Sequence, residues 1–162
     1  MAELVIHRLA AGDWSAFREI RLAALRDAPQ AFGSTAADAQ RLREEEWRRS
    51  LEQRAVFLVE VSSQRVGLAA GIAGDQPGEA ELISMWVAPA WRGQGAGDRL
   101  MDAVLAWAAG EGFLTVHLWV AQGNARAERL YARHGFAATG RVQPMGGERV
   151  DLLEFEMRRR VG

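Results

Sequence analysis

Arg92-Gly93-Gln94-Gly95-Ala96-Gly97 is the most informative stretch of this sequence. It follows an apolar run over residues 82–87, which predicts a strand, and it precedes residues 98–105, which predict a helix. A glycine-rich loop in this position favours phosphate, because glycine lets the backbone approach an anion and the first N–H groups of a helix have no partner of their own. The sequence therefore predicts a phosphate-bearing ligand at this loop.

Two common phosphate-binding motifs do not fit the loop. A Walker loop needs Lys followed by Ser or Thr, and the chain contains no Lys, so that all 20 of its basic residues are Arg. The dinucleotide fingerprint Gly-x-Gly-x-x-Gly fails because its sixth position is Asp98 or Leu100, depending on which glycine begins it. The pattern that remains is Arg-x-x-Gly-x-Gly, formed by Arg92, Gly95 and Gly97.

The composition is that of one globular domain over residues 1–162, with 49% apolar residues and a net charge of −1. This charge gives no indication of a nucleic-acid or membrane partner. No apolar run approaches the roughly 20 residues that span a bilayer, and the segment Met1–Leu4 lacks the features of a signal peptide. The chain has no Cys, which excludes disulfides and cysteine metal sites. We expect a cytoplasmic protein without a metal.

Hydrophobic periodicity predicts the element order β-α-α-β-β-β-α-β-α-β-β, which is an α/β fold. Asp13 is a candidate cap for the first helix, and Ser34 or Thr35 for the second. The strand predicted over 114–121 follows a helix, so we expect it to run parallel to the strand before that helix. The last two strands are predicted over 136–142 and 150–157.

Three segments resemble the motifs of the GNAT acetyltransferase superfamily. They are the strand and loop over 81–97, the segment 124–136 with the pattern Asn-x-x-Ala-x-x-Leu-Tyr-x-x-x-Gly-Phe, and the segment 29–33 with the pattern Pro-x-Ala-Phe-Gly. The resemblance covers almost the whole chain. It implies a mixed, mostly antiparallel central sheet of about seven strands with helices on both faces. It also implies that two central parallel strands splay apart and that acetyl-CoA (CoA) lies between them as the co-substrate.

The same resemblance implies a set of cofactor-binding residues. Loop N–H groups would hold the pyrophosphate, an Arg would add charge, strand backbone groups would pair with the pantetheine amides, and an Asn would bond to the pantetheine arm. Several of these residues have structural alternatives. Asn124 also suits a helix N-cap, and Arg92 also suits a solvated surface. Met85 and Val87 suit plain core residues whose backbone alone is involved, and Tyr131 suits a core aromatic with its hydroxyl at the surface. The implied positions are Met85, Val87, Arg92, Gly93, Gln94, Gly95, Ala96, Gly97, Asn124 and Tyr131.

The implied function is an acetyl-CoA-dependent N-acetyltransferase that acts on a primary amine of a small molecule or peptide. Such an amine has a pKa of about 10.4, so only about one in a thousand is neutral near pH 7.4 and a base must remove the proton. Glu81 is the candidate base and His117 the alternative. Strand alternation puts Glu81 on the face of Met85 and Val87, unless a bulge intervenes. Tyr131, the only tyrosine, would act near the CoA sulfur as an acid or a positioning group.

The acceptor itself stays open at this stage. In this family the loops over 27–35 and 143–149 would set its selectivity. Asp75, Glu79 and Glu81 form an acidic stretch that suits a cationic amine and equally suits a solvated loop. Dimerisation is common in the family, so a homodimer is allowed although no feature of the sequence establishes one. The alternative function is a CoA-binding regulatory module of the same fold that has lost catalysis.

Overall fold

The computed structural model describes residues 3–146 and 151–162. In these residues, seven strands and five α-helices follow the predicted order, except that the second predicted helix is divided into two. In chain order the elements are β1 (Leu4–Arg8), α1 (Trp14–Asp27), α2 (Ala36–Gln40), α3 (Glu44–Gln53), β2 (Ala55–Val61), β3 (Gln64–Ala73), β4 (Glu79–Val87), α4 (Ala96–Gly110), β5 (Thr115–Ala121), α5 (Ala125–Arg133), β6 (Ala137–Pro144) and β7 (Leu153–Arg160). The predicted last strand began at Val150, which lies outside the described residues.

The helix caps agree with the sequence at one of the two predicted places. Thr35, rather than Ser34, caps α2, because its Oγ1 accepts the N–H of Asp38 at 3.1 Å. Asp13 precedes α1 but its side chain does not cap that helix. Its carboxylate instead accepts the N–H of Ala10 at 2.8 Å and so stabilises the short turn before α1.

The seven strands form one sheet in the order β1-β2-β3-β4-β5-β7-β6. Only β4 and β5 are parallel, and every other neighbouring pair is antiparallel. The parallel pairing lasts three residue pairs and ends where Glu81 lies opposite His117. Both strands continue beyond that point, to Val87 and Ala121, without pairing with each other. The mixed sheet and the splay of its parallel strands confirm the fold that the resemblance implied.

A β-bulge interrupts β4 within this splayed region. Ile83 lies opposite Ala70 of β3, whereas the next matching pair joins Trp86 to Leu68, so β4 uses one residue more than β3. Ser84 lies inside the bulge with a φ of 61°, in the left-handed region that non-glycine residues seldom adopt. The extra residue reverses which face the later side chains of β4 occupy.

The bulge corrects the simple alternation expected for Glu81. Leu82, Met85 and Val87 pack into one hydrophobic cluster, while Ile83 packs into the cluster on the opposite face. Glu81, two residues before Ile83, therefore shares the face of Ile83 and not that of Met85 and Val87. The side chain of the candidate base, Glu81, therefore lies on the opposite face of the sheet from the side chains of Met85 and Val87, whose backbone is expected to bind pantetheine.

The two hydrophobic clusters lie on the two faces of the sheet. Helix α4 packs on one face through Leu100, Met101 and Val104, together with residues of β2 to β5 and β7. Helices α1 and α3 cover the other face, where Phe17 and Trp47 meet edge-to-face at 5.3 Å. Within the described residues, no member of this second cluster comes from β5, β6 or β7. That part of the face carries polar side chains, and the cavity described below lies there.

A search of the described residues for a membrane span finds no helix with the necessary length and apolar character.

Candidate functional site

The loop over residues 92–97 has the backbone geometry of an anion cradle. Gly93 and Gly95 have φ angles of 77° and 93°, which glycine adopts without the steric cost that other residues meet. Gly95 is the N-cap of α4. Among the described residues, the N–H groups of Gln94, Gly95, Ala96 and Gly97 find no backbone acceptor. Four donors therefore surround the start of a helix, where the helix dipole also favours an anion.

The side chain of Arg92 binds other residues of the protein, whereas the resemblance implied that it contacts phosphate. Its Nε donates to the carbonyl oxygen of Val87 at 2.9 Å, and its Nη2 donates to Oδ2 of Asp27 at 2.8 Å. The same Asp27 oxygen accepts the indole N–H of Trp86 at 2.9 Å. Arg92 thus ties the loop to β4 and α1. No pattern in the sequence predicted the contribution of Asp27, because it lies 65 positions before Arg92.

The backbone of β4 presents the N–H group of Val87 to the gap. Ala88 donates its N–H to Val66 of β3 at 2.7 Å, so Ala88 uses the β3 side of the strand. Because backbone groups alternate along a strand, the N–H of Val87 points to the other side, into the gap. The carbonyl oxygen of Val87 already accepts from Arg92, which leaves the N–H as the group available to a ligand.

Asn124 occupies the N-cap of α5, as its structural alternative predicted. Its Oδ1 accepts the N–H of Ala127 at 3.3 Å. In the part of the chain that the structure describes, its Nδ2 makes no hydrogen bond. A cap at this place still presents an amide N–H near the end of β5, which finishes at Ala121.

Tyr131 is buried in the cluster under α4, with 5% of its surface exposed. Its ring packs on Phe136 with 6.2 Å between ring centroids. Burial raises the pKa of the Tyr131 hydroxyl well above its usual 10. The hydroxyl is therefore protonated throughout the neutral range, where it can donate a hydrogen bond but cannot serve as a base.

Glu81 lies at the closed end of the gap, with 26% of its side chain exposed. Burial raises the pKa of its carboxyl above the usual 4.5. His117 acts in the opposite direction, whereas the negative charges of Asp75, Glu154 and Glu79 raise this pKa further. A carboxylate with a raised pKa is a better proton acceptor near neutral pH than an ordinary glutamate.

His117 lies between two groups of carboxylates. Its Nδ1 is 3.0 Å from Oε2 of Glu156, and its Nε2 is 3.3 Å from Oε1 of Glu79 and 3.7 Å from Oε1 of Glu81. Nε2 is buried, and none of its contacts with the described residues has hydrogen-bond geometry. The structure thus brings the two candidate bases together, with Glu81 the more exposed of the two.

Glu156 is a functional candidate that the sequence analysis missed. It is fully buried, and besides His117 it accepts hydrogen bonds from Thr139 Oγ1 at 2.8 Å and from Arg141 Nη1 at 3.2 Å. The alternation of β7, in which Glu154, Glu156 and Arg158 share one face, is the pattern that indicates it. Glu156 fixes which way the His117 ring points.

A cavity of about 540 Å³ lies over this polar face. Its walls come from α1 and the segment after it, from the residue before β2, from the β3–β4 turn, and from β4 to β7. Both loops expected to set acceptor selectivity, 27–35 and 143–149, contribute residues to this cavity. Residues 147–149 of the second loop lie outside the described residues. The lining residues are Arg21, Ala31, Phe32, Gly33, Ser34, Arg54, Asp75, Gln76, Glu79, Glu81, Leu82, Ile83, Ser84, His117, Trp119, Arg141, Gln143, Met145 and Glu154.

The known sequences that this chain resembles are all described as acetyltransferases. The sequence profile described as "Acetyltransferase (GNAT) family" matches residues 14–136. An uncharacterized N-acetyltransferase of Mycobacterium tuberculosis is 41% identical over 88 residues, which are 54% of this chain and 56% of the relative. One of Archaeoglobus fulgidus is 30% identical over 91 residues, covering 53% of this chain and 62% of the relative. The chain thus matches little more than half the length of these curated relatives.

Solved structures resemble the chain over nearly its whole length. A GNAT-family acetyltransferase of Streptococcus pneumoniae superposes with a TM-score of 0.81 at 20% identity, covering 99% of this chain and 100% of that one. An acetyltransferase of Salmonella typhimurium, solved with its cofactor acetyl-CoA, gives a TM-score of 0.79 at 20% identity, covering 99% and 95%. At these identities the likeness establishes a common fold.

Proposed function

Because the chain belongs to the GNAT acetyltransferase family, we propose that it is an acetyl-CoA-dependent N-acetyltransferase acting on a primary amine of a small molecule or peptide. The observation that carries this proposal is the gap between β4 and β5, closed at Glu81 and His117. The anion cradle at 94–97 follows the open end of the gap. Glu81 and Val87 lie opposite Ile72 and Gly67 of β3, which are five positions apart, so the span along the gap is about 17 Å. That span suits a ligand with a phosphate group at one end and a reactive thioester at the other.

The proposed reaction is a direct transfer. The amine nitrogen attacks the thioester carbon, a C–N bond forms, and the C–S bond breaks as its electron pair leaves with the sulfur. Glu81 takes the proton from the nitrogen, directly or through a water. Tyr131 donates a hydrogen bond to the departing thiolate. Loop N–H groups fix the pyrophosphate and so set where the thioester lies.

Glu81 is the proposed base because it lines the cavity with part of its side chain exposed, whereas Nε2 of His117 is buried beside it. His117, held by Glu156, positions the Glu81 carboxylate and tunes its basicity through charge. Both residues belong to one cluster, so their separate roles are best assigned by pH–rate profiles.

The experiment that tests the function is thiol release from acetyl-CoA with a panel of primary amines, followed by mass spectrometry of the products. We expect release that depends on the amine and products heavier by one acetyl group. Thermal stabilisation by CoA without turnover of any amine would contradict the proposal and favour the inactive CoA-binding module.

Gly95→Ala is expected to raise the KM for acetyl-CoA about tenfold, with a smaller change in kcat. An alanine at a φ of 93° is strained by about 1–2 kcal/mol, and the loop relieves the strain by turning N–H groups away from the pyrophosphate. Steric contact is not the cause, since the nearest atom to the added Cβ, on Leu4, is 3.7 Å away. Steady-state kinetics with varied acetyl-CoA measures the change.

Gly110→Ala is the matched control, because Gly110 ends the same helix and an added Cβ there meets nothing within 4 Å. It is expected to leave the KM for acetyl-CoA unchanged. Equal effects of the two substitutions would mean that general helix stability, and not the anion cradle, governs binding.

A further inference from the structure

Two arginines that line the cavity, Arg21 and Arg54, have no carboxylate partner in the described part of the chain. Within residues 3–146 and 151–162, neither Arg21 nor Arg54 takes part in an ion pair, whereas Arg141 and Arg158 pair with Glu156 and Glu79 at 3.2 and 2.8 Å. Nη1 of Arg21 is buried and has no hydrogen-bond partner among the residues that the structure describes. A buried donor on a cation costs free energy when it is unpaired, so this pair of arginines is arranged for an anionic partner.

The surroundings of Arg21 hold its guanidinium in place. Its Cζ lies 4.7 Å from the ring centroid of Phe32, in the segment expected to contribute to acceptor selectivity. Burial, and then the like charge of Arg54, lower the pKa of Arg21 from 12.5 to about 10, so the group is still charged at neutral pH. Burial lowers the pKa of Arg54 as well. An anion bound between these two groups would relieve the repulsion that they now exert on each other.

The register of the sheet places Arg54 level with Glu81. Arg54 has extended backbone just before Ala55, which pairs with Gly71, so it falls level with Ile72. Ile72 in turn lies opposite Glu81, and residues level across a sheet share a face. The separation of Arg54 and Glu81 is therefore two strand spacings, about 10 Å between Cα atoms.

The cavity thus has a cationic side and an acidic side at a short, fixed distance. Glu81, Glu154 and Asp75 lie on the acidic side, and the buried Nε2 of His117 faces it without a hydrogen-bond partner among the described residues. A volume of about 540 Å³ lies in the range of small-molecule sites. The amine and the anion that these sides attract must therefore belong to one compact molecule.

We propose that the acceptor is a free amino acid or a close analogue, whose amine faces Glu81 and whose carboxylate is bound by Arg21 and Arg54. This inference rests on the proposed acetyl transfer and narrows its acceptor. It disfavours diamines and polyamines, whose second cation would approach two unpaired guanidinium groups. It also disfavours a peptide N-terminus, which has no carboxylate on the carbon that bears the amine.

The test compares free amino acids with their carboxamides, which keep the amine and remove the negative charge. Wild-type protein is expected to favour the acid over the matching amide by about 10- to 100-fold in kcat/KM, the worth of one or two charge-assisted hydrogen bonds. Aminophosphonates and aliphatic diamines complete the panel. Acetylation of the aminophosphonates shows whether the site accepts any anion or only a carboxylate. Acetylation of the diamines would indicate a cavity that attracts cations through its carboxylates and binds no anion.

Arg21→Gln and Arg54→Gln are each expected to bring the acid-to-amide ratio of kcat/KM down toward one. Arg65→Gln is the matched control, since Arg65 lies outside the cavity and pairs with Glu19 on the surface. Melting temperatures of all variants verify folding, and Arg21→Lys keeps the charge should Arg21→Gln fail to fold. A preference for amides or diamines, or an unchanged ratio in both Gln variants, would overturn the proposal.

A binding measurement separates this inference from the proposed function. If no amine at all is acetylated, the proposed transfer fails, yet amino acids can still be titrated calorimetrically into protein saturated with CoA. Heat of binding for the acids that is lost in both Arg→Gln variants supports the site. Absence of binding for every amino acid overturns it.

Discussion

Glu81→Gln is expected to lower kcat by about 10²- to 10⁴-fold, the usual contribution of a positioned general base. Glutamine keeps the size of the side chain and cannot accept the proton of the attacking amine. Its KM for acetyl-CoA should change little, because Glu81 lies at the closed end of the gap, whereas the anion cradle follows the open end. Steady-state kinetics of the purified variant gives both parameters.

The pH–rate profile assigns the base. Because the free carboxylate is the active form, kcat/KM rises with pH through the pKa of Glu81, which burial raises above 4.5. The acidic limb of the wild-type profile should therefore lie above the ordinary carboxyl range, and Glu81→Gln should erase it. Should Glu81→Gln leave the limb in place, Glu81 is not the base.

Two neighbouring substitutions sharpen this assignment. His117→Ala removes the group that lowers the pKa of Glu81, so the limb should move to higher pH and persist. Glu154→Gln removes a charge that raises this pKa, so the limb should move to lower pH. Loss of the limb in His117→Ala, with its retention in Glu81→Gln, would instead identify His117 as the base.

The fold was predictable because its evidence is local. Glycines of the loop, the period of the helices and the alternation of the strands each depend on neighbouring residues, and the observed order differs only in the division between α2 and α3. The bulge at Ser84 was not predictable, since nothing in residues 82–87 marks an extra residue. That single residue decides that the side chains of Met85 and Val87 lie on the face opposite to Glu81.

Individual residues of the candidate site were predictable from the sequence, but the contacts between them were not. Motif positions identified Glu81 and Tyr131. The buried Glu156, which orients His117, lies 39 positions after it in the sequence, on another strand. No sequence signature marks Arg21 and Arg54 either, which form no ion pair with any described residue. Whether an arginine has a partner depends on which segments meet in the fold, and charge alone does not reveal it.

Tyr131→Phe is expected to lower kcat by about 10- to 150-fold, which corresponds to the 1.5–3 kcal/mol of a hydrogen bond to a charged group. The phenylalanine ring keeps the packing against Phe136, so the melting temperature should change little. The KM for acetyl-CoA should also change little, because the hydroxyl acts on the charge that develops at sulfur during the reaction.

The raised pKa of Tyr131 determines what kind of catalyst it is. A thiol has a pKa of about 8.5, well below that of the buried Tyr131 hydroxyl, so a complete proton transfer from Tyr131 to the thiolate is uphill. Tyr131 should therefore stabilise the thiolate as a hydrogen-bond donor. In acetyl thioesters whose thiols are more acidic, the leaving group needs less help, and the defect of Tyr131→Phe should shrink. A Tyr131→Phe variant with wild-type kcat for every thioester and at every pH would show that Tyr131 only packs in the core.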